Sequence, residues 1–323
     1  MKVGIIGAGS IAGTMAETIR EMDCAQNYAV AARDYGRAAE FAQTYGFEKA
    51  YGSYEELVED AGVELVYIAT PHSHHYEHIK LCLNHGKHVL CEKSFTVNES
   101  QAREVLALAR EKKLLLTEAI WTRYMPMRKT LDSVLSSGVI GRPYMLTANL
   151  GYIISGKERI MRPELAGGAL LDVGIYPLNF ASMVFGDEVD SITGTAVMTE
   201  TGVDAQNSIT ITYKDGRMAV LCSSAMGLSD RRGIIYGDNG FIEVENINNC
   251  EGIRVYDRSR NMIASYDTPK QISGYEYEVE ACLRAIKEGA LECPEMPHEE
   301  TLRMMGWMDE LRRQWGLVYP MER

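Results

Sequence analysis

The chain has no C-x-x-C pair, no internal repeat, no low-complexity linker and no excess of positive charge. Its seven cysteines (Cys24, Cys82, Cys91, Cys222, Cys250, Cys282 and Cys293) are odd in number and scattered. That is a reduced inventory, not a disulfide framework or a zinc ribbon. A formal charge of −12 excludes a broad surface for nucleic acid or anionic membrane. An anionic cofactor is still admissible, because a helix N-terminus gives local positive potential whatever the global charge. The opening MKVGIIGAGSIAGTM superficially resembles a signal peptide, but Gly4, Gly7 and Gly9 break its apolar run. No apolar stretch is expected to reach membrane-spanning length. These absences point to the cytoplasm, with neither nucleic acid nor membrane as partner.

What remains is an ordinary globular composition, 46% hydrophobic and 24% charged, over 323 residues. That length exceeds what one hydrophobic core usually serves, so two domains are expected. The first, residues 1–120, alternates strand and helix. Strands are read at 2–6, 28–32, 64–69, 87–91 and 114–118, with helices at 11–22, 35–45, 53–61, 74–85 and 98–112. This rhythm predicts an α/β fold with a doubly wound parallel sheet. The second domain, residues 121–323, changes rhythm. Strands are expected at 142–151, 189–199, 204–214, 217–226, 231–236, 240–246 and 252–257, and helices near 175–185, 276–289 and 298–315. Lys214-Asp215-Gly216 and Gly237-Asp238-Asn239-Gly240 are hairpin signals, so this half reads as α+β with an open, mostly antiparallel sheet.

Gly7-Ala8-Gly9-Ser10-Ile11-Ala12 fits G-x-G-x-x-G/A, after a strand and before a helix. The first glycine allows the tight turn, the second lets backbone approach a pyrophosphate, and the third small residue lets helix and strand pack closely. The motif therefore predicts a Rossmann domain binding NAD or NADP. About 20 residues on, where an NAD enzyme usually offers an acid to the ribose, stands Ala32, followed by Arg33, Asp34 and Arg37. Two guanidinium groups suit a 2′-phosphate and favour NADP. The alternatives are that Arg33 is merely exposed and Asp34 caps the next helix, or that Asp34 reaches the ribose and NAD is preferred.

Further segments carry a resemblance. They are Ala69-Thr70-Pro71 with His75, then Gly86-Lys87-His88-Val89-Leu90-Cys91-Glu92-Lys93, and Gly167-Gly168-Ala169-Leu170-Leu171-Asp172-Val173-Gly174-Ile175-Tyr176. Together they resemble the glucose–fructose oxidoreductase/inositol dehydrogenase (Gfo/Idh/MocA) family. Glu118-Ala119-Ile120-Trp121-Thr122-Arg123-Tyr124-Met125-Pro126 and the tyrosine at 176 are most similar to its dihydrodiol dehydrogenase and D-xylose dehydrogenase branch. The resemblance implies hydride exchange between a nicotinamide and a carbinol or carbonyl carbon of a sugar or diol. It also implies a homodimer or higher homo-oligomer through the C-terminal sheet. Lys93 matches the lysine of the family's E-K-P motif and Tyr176 the branch's tyrosine. Ser94 replaces the proline of that motif, whose ring can fix the backbone, for instance through a cis bond.

Oxidising an alcohol needs a base for its proton, and a free tyrosine, with a pKa of about 10, is a poor one. A nearby ammonium such as Lys93 favours the phenolate of Tyr176; in the reducing direction the phenol donates. Asp172 precedes Tyr176 by four residues, so on a helix the two share a face. Lys93, Asp172 and Tyr176 are the candidate catalytic set, with Trp121 and Tyr275 added for substrate. Gly7, Gly9, Ser10, Ile11, Ala12, Arg33, Arg37, Thr70, Pro71, His75, Glu92, Lys93, Trp121 and Arg123 are the candidate cofactor ligands. Taken singly, Lys93 reads as an exposed lysine, Tyr176 as a core aromatic and Asp172 as a helix cap. Trp121 and Arg123 read equally as an interdomain packing residue and a surface arginine.

Six of the seven histidines fall between 72 and 88. On a helix His74 and His78 are i, i+4 neighbours, but His74 and His75 point about 100° apart. No cysteine or carboxylate completes a metal site at motif spacing, so none is expected. A dinucleotide-binding regulator without turnover is a competing reading, which the retention of both Lys93 and Tyr176 disfavours. A third keeps the enzyme but changes its chemistry, to bile-pigment reduction or to halide or glycosidic cleavage through a transient hydride step.

Overall fold

Short runs of aliphatic residues, buried on both faces, build the first sheet, as a parallel sheet covered by helices requires. The computed structural model describes residues 1–323. The elements are β1 (Lys2–Ile6), α1 (Ser10–Arg20), β2 (Gln26–Ala31), α2 (Tyr35–Tyr45), β3 (Lys49–Tyr51), α3 (Tyr54–Glu59), β4 (Leu65–Ile68), α4 (His72–Asn84), β5 (His88–Glu92), α5 (Glu99–Lys112) and β6 (Leu116–Ala119). The sheet order is β3-β2-β1-β4-β5-β6, all parallel. That is the doubly wound order whose ligand crevice lies beyond the strand C-termini where the winding reverses, between β1 and β4. Helix starts follow local chemistry: Asp34 caps α2, Asn98 caps α5, and Ser53 with Glu56 forms a capping box on α3.

A three-ten turn, Trp121–Arg123, leads to α6 (Pro126–Ser136), β7 (Pro143–Gly151) and α7 (Glu158–Met161). A π-helical turn, Leu170–Gly174, then runs straight into α8 (Ile175–Phe185). The strands β8 (Val189–Met198), β9 (Asp204–Tyr213), β10 (Met218–Ser224), β11 (Gly233–Gly237), β12 (Gly240–Glu245), β13 (Gly252–Asp257) and β14 (Met262–Asp267) follow. They order as β14-β13-β12-β11-β7-β10-β9-β8, antiparallel except for the β7–β10 pair. Along β10, Ala219, Leu221 and Ser223 point into the core and Met218, Val220 and Cys222 point out, the period-two pattern of a half-covered sheet. Helices α9 (Glu276–Glu288) and α10 (His298–Trp315) close the chain.

Two expectations are corrected. The chain does not divide once near residue 120. Met1–Tyr124 forms one compact unit with Gln271–Met305, and Met125–Lys270 forms the other with Gly306–Arg323. The physical reason is the apolar face of α9, where Val279, Cys282 and Ala285 are buried and the helix packs against β5. Leu116 N–H donates to the Leu291 carbonyl at 3.1 Å, and His298 Nε2 meets the Leu116 carbonyl at 2.8 Å. Change of rhythm marks where the second unit begins, not where the chain returns.

The second correction concerns apolar length. The helical stretch Pro163–Phe185 is 23 residues long and apolar enough, by length and composition, to cross a membrane. Its apolar part is 94% buried inside the protein, and a helix hydrophobic all round is also what a core demands.

Candidate active site

In the first unit the glycine turn has the shape a diphosphate needs. Gly7 sits at φ +103°, and a Cβ there would lie 2.9 Å from the Ala69 carbonyl oxygen. Gly9, the N-cap of α1, has no side-chain cap, and a Cβ on it would meet nothing within 4 Å. No acidic residue stands in the first turn of α1. The amides of Ser10 and Ile11 therefore begin a helix whose positive end carries no competing carboxylate. Ala12 is buried and serves packing. The tightest helix approach is at the next residue: a Cβ on Gly13 would lie 2.5 Å from the Tyr45 hydroxyl. This cradle, open in front and closed behind, fits a dinucleotide.

Beyond β2, Arg33, Asp34 and Arg37 are all exposed. Asp34 Oδ1 accepts the Arg37 N–H at 2.7 Å, so the acid caps α2. The Arg37 guanidinium donates to the Ala8 carbonyl at 2.8 Å, which holds it over the glycine turn. The charge of Arg33 is felt at Tyr54, His74 and His78.

Thr70 and Pro71 follow β4, and Pro71 is the N-cap of α4. Thr70 Oγ1 meets His78 Nδ1 at 3.0 Å. His75 is fully buried, with Nδ1 2.9 Å from the Ser94 carbonyl and Nε2 2.8 Å from the Thr70 carbonyl. Burial pushes its pKa down to about 4, so at pH 7 it is neutral and donates to one of the two. It braces the ends of β4 and β5 together. The histidine-rich stretch gathers no set of three His, Cys, Asp or Glu side chains able to hold a metal ion.

Lys93 emerges half-buried from β5, and its peptide bond to Ser94 is cis even without proline. Glu92 is buried; its carboxylate accepts from the Tyr67 hydroxyl and, at 3.3 Å, from the Lys93 N–H. Glu118, which the sequence marks only as part of a motif, secures the same segment by accepting the Phe95 N–H at 3.1 Å. Burial raises its pKa to about 7, opposed by a hydrogen bond from Thr301.

Trp121 stacks on Tyr275, ring centroids 4.3 Å apart and planes within 13°. Arg123 is not on the surface. It is buried, and its Nη2 lies 2.5 Å from Glu300, which also pairs with Arg303.

In the second unit, Asp172 lies buried on the π-helical turn and Tyr176, also buried, in the first turn of α8. Asp172 has a partner that sequence reading missed: Arg159 Nη1 is 2.5 Å from its Oδ1. Arg159 lies in the stretch between β7 and the glycine pair, where no periodicity marks it. The carboxylate is thus ion-paired and oriented instead of standing as an isolated base.

The two units match two family models. One, an oxidoreductase family with an NAD-binding Rossmann fold, covers residues 1–120; the other, the Gfo/Idh/MocA C-terminal domain, covers residues 129–243. The chain belongs to the Gfo/Idh/MocA family. It is an NAD(P)-dependent oxidoreductase of the dihydrodiol dehydrogenase branch. Its curated relatives include trans-1,2-dihydrobenzene-1,2-diol dehydrogenases. That of Xenopus tropicalis is 34% identical over 327 residues, covering 99% of each chain. The Homo sapiens enzyme is 34% identical over 332 residues, covering 100% of this chain and 99% of the relative. Among solved structures, KijD10, a 3-ketoreductase from Actinomadura kijaniata in complex with NADP and TDP-benzene, superposes with a TM-score of 0.90 at 24% identity, over 97% of both chains. An aldose-aldose oxidoreductase from Caulobacter crescentus complexed with glycerol gives 0.87 at 18%, again over 97% of both. At those identities the likeness is one of fold.

Proposed function

We propose that the protein is a dehydrogenase or reductase of a sugar, a sugar-derived carbonyl or a vicinal diol, preferring NADP over NAD. The observation that carries this reading is full-length likeness, at 34% identity, to dehydrogenases named for a cyclic diol. The NADP preference rests on Arg33 and Arg37, both exposed, beside an Asp34 already engaged as a helix cap. Gly7, Gly9, Ser10 and Ile11 receive the diphosphate, Thr70 and Pro71 border it, and the Trp121–Tyr275 stack shapes the nicotinamide and substrate pocket.

A bound nicotinamide supplies the hydride exchange. The chain's own residues manage the proton. Tyr176 gives its phenolic proton to the carbonyl oxygen during reduction and takes one from the hydroxyl during oxidation. A free phenol ionises only near pH 10, and Lys93, which matches the family's lysine, is assigned to the same proton exchange. Asp172, oriented by Arg159, accepts from a substrate hydroxyl.

We place the enzyme in the cytoplasm as a homodimer. All seven cysteines are free thiols, as a reducing compartment keeps them. The outward face of the second sheet carries a row in register, Met218, Met145, Tyr236, Phe241 and Tyr256, with Phe241 and Tyr256 stacked at 4.5 Å. Met218 and Met145 are exposed and the three aromatics half-buried, and such an apolar row suits a second copy of the same face.

The test is a panel of D-xylose, D-glucose, ketoses, dicarbonyls and cyclic trans-diols, each assayed with both cofactors. Turnover of one class with NADP(H) supports the reading. Tight dinucleotide binding with no turnover of any class would favour a regulator.

A further inference from the structure

The helical run that carries Asp172 and Tyr176 starts at Gly167-Gly168, which have no side chains to fix it. Gly168 adopts φ +113°, and a Cβ on it would lie 2.3 Å from the Asp204 carboxylate. Two groups of the same unit grip this turn. The Tyr319 hydroxyl donates to the Gly167 carbonyl at 2.6 Å, and Asp204 Oδ2 accepts the Leu170 N–H at 2.8 Å. Both side chains are completely buried.

Each is itself held firmly. Arg312 sits over the Tyr319 ring, 4.9 Å from its centroid, and forks to Glu322 at 2.7 and 2.9 Å, so the tail after α10 is pinned. Asn207 donates to Asp204 at 2.9 Å and accepts from the Ser223 hydroxyl at 2.9 Å. Asp204 Oδ1 nevertheless has no hydrogen-bond partner. A buried carboxylate with one bare oxygen is costly, and apolar packing alone would not call for it. The group that needs it is the Leu170 amide, at the start of the π-helical turn.

We propose that Asp204 and Tyr319 are positioning residues for Tyr176, fixing the first turn of its helical run and so aiming the phenol. This rests on the assignment of proton exchange to Tyr176. Catalysis is sensitive to such aim, since a displacement of about 1 Å arising far from the chemistry can cost about 100-fold in rate.

The experiment compares Tyr319→Phe, Asp204→Ala and Asp204→Asn with Tyr176→Phe, using the best substrate of the panel above. It reads kcat, KM, NADPH affinity and melting temperature. Tyr319→Phe removes one hydroxyl and keeps the ring under Arg312; Asp204→Asn keeps an oxygen for the Leu170 amide. The expected result is a kcat lowered roughly tenfold or more in Tyr319→Phe and Asp204→Ala, with NADPH affinity within about twofold of wild type and most of kcat recovered in Asp204→Asn. Wild-type kcat in Tyr319→Phe and Asp204→Ala, beside an inactive Tyr176→Phe, would overturn positioning alone. A joint fall of kcat and NADPH affinity in step with lost stability would also overturn it. Should Asp204→Ala fail to fold, the other two variants decide. An active Tyr176→Phe would remove the assignment itself, and the proposal with it.

Discussion

The indole of Trp121 and the ring of Tyr275 lie almost flat on one another, 4.3 Å apart, although the whole second sheet separates them in sequence. The first unit is completed only when the chain comes back with α9. Tyr275→Ala is expected to destabilise by about 1 kcal/mol beyond its lost area, as aromatic pairs do, and Tyr275→Phe to remain near wild type. Thermal unfolding of both variants checks this. An unchanged transition in Tyr275→Ala would show the stack to be incidental.

Gly7 and Gly9 are expected to fail differently. Gly7→Ala meets both a positive φ and the Ala69 carbonyl, and should cost roughly 1–3 kcal/mol of stability. Gly9 has φ −101° with open space ahead, and serine is a good N-cap. Gly9→Ser should therefore fold at least as well as wild type while losing about tenfold or more in NADPH affinity, because the hydroxyl occupies the diphosphate's place. Melting curves and a fluorescence titration separate the two effects.

Arg33→Ala should weaken NADPH by about tenfold, near 1.4 kcal/mol, the scale of one charge-assisted hydrogen bond. NADH, lacking the 2′-phosphate, should change less than about twofold. Wild-type protein binding NADH more tightly than NADPH would refute the assignment of Arg33.

Glu118 should leave a signature in stability against pH. Its carboxyl is raised by burial from 4.5 to about 7, so between those values the native state holds a proton the unfolded chain has released. The associated stability is complete below about pH 4.5 and is lost as pH rises through about 7, some 3 kcal/mol in all at about 1.4 kcal/mol per pH. His75, held down near 4 by burial, acts in the opposite sense, losing stability as pH falls from 6.5. The difference between wild type and Glu118→Gln isolates the glutamate. Denaturant unfolding from pH 4.5 to 8 should show the variant gaining on wild type as pH rises; parallel curves would mean Glu118 ionises normally.

Much of this was legible in the sequence because the determinants are local. The helices 35–45, 175–185 and 298–315 fall on the residues read for them, and the other elements anticipated lie within about two residues. Elements were missed where the signal is short or one-sided. β3 has three residues, and β14 is an edge strand that buries almost nothing. α6 did offer a signal, Pro126 at its first position and Met127, Leu131 and Val134 on one face, and was readable.

The site was legible at the backbone and less so among charged side chains. The glycine turn declares itself through spacing, but the Asp172–Arg159, Arg123–Glu300 and Glu118–Phe95 contacts depend on long-range closure that no local pattern encodes. His75 carried a motif match, but its burial and its contacts to the Ser94 and Thr70 carbonyls have no local signal.

Loss of turnover in Lys93→Met and Tyr176→Phe, measured beside NADPH binding, tests the assigned proton exchange most directly. Each should lose about 1,000-fold or more in kcat, with NADPH affinity within about threefold of wild type, since proton management is removed and the diphosphate cradle is untouched. Turnover surviving both substitutions would contradict it.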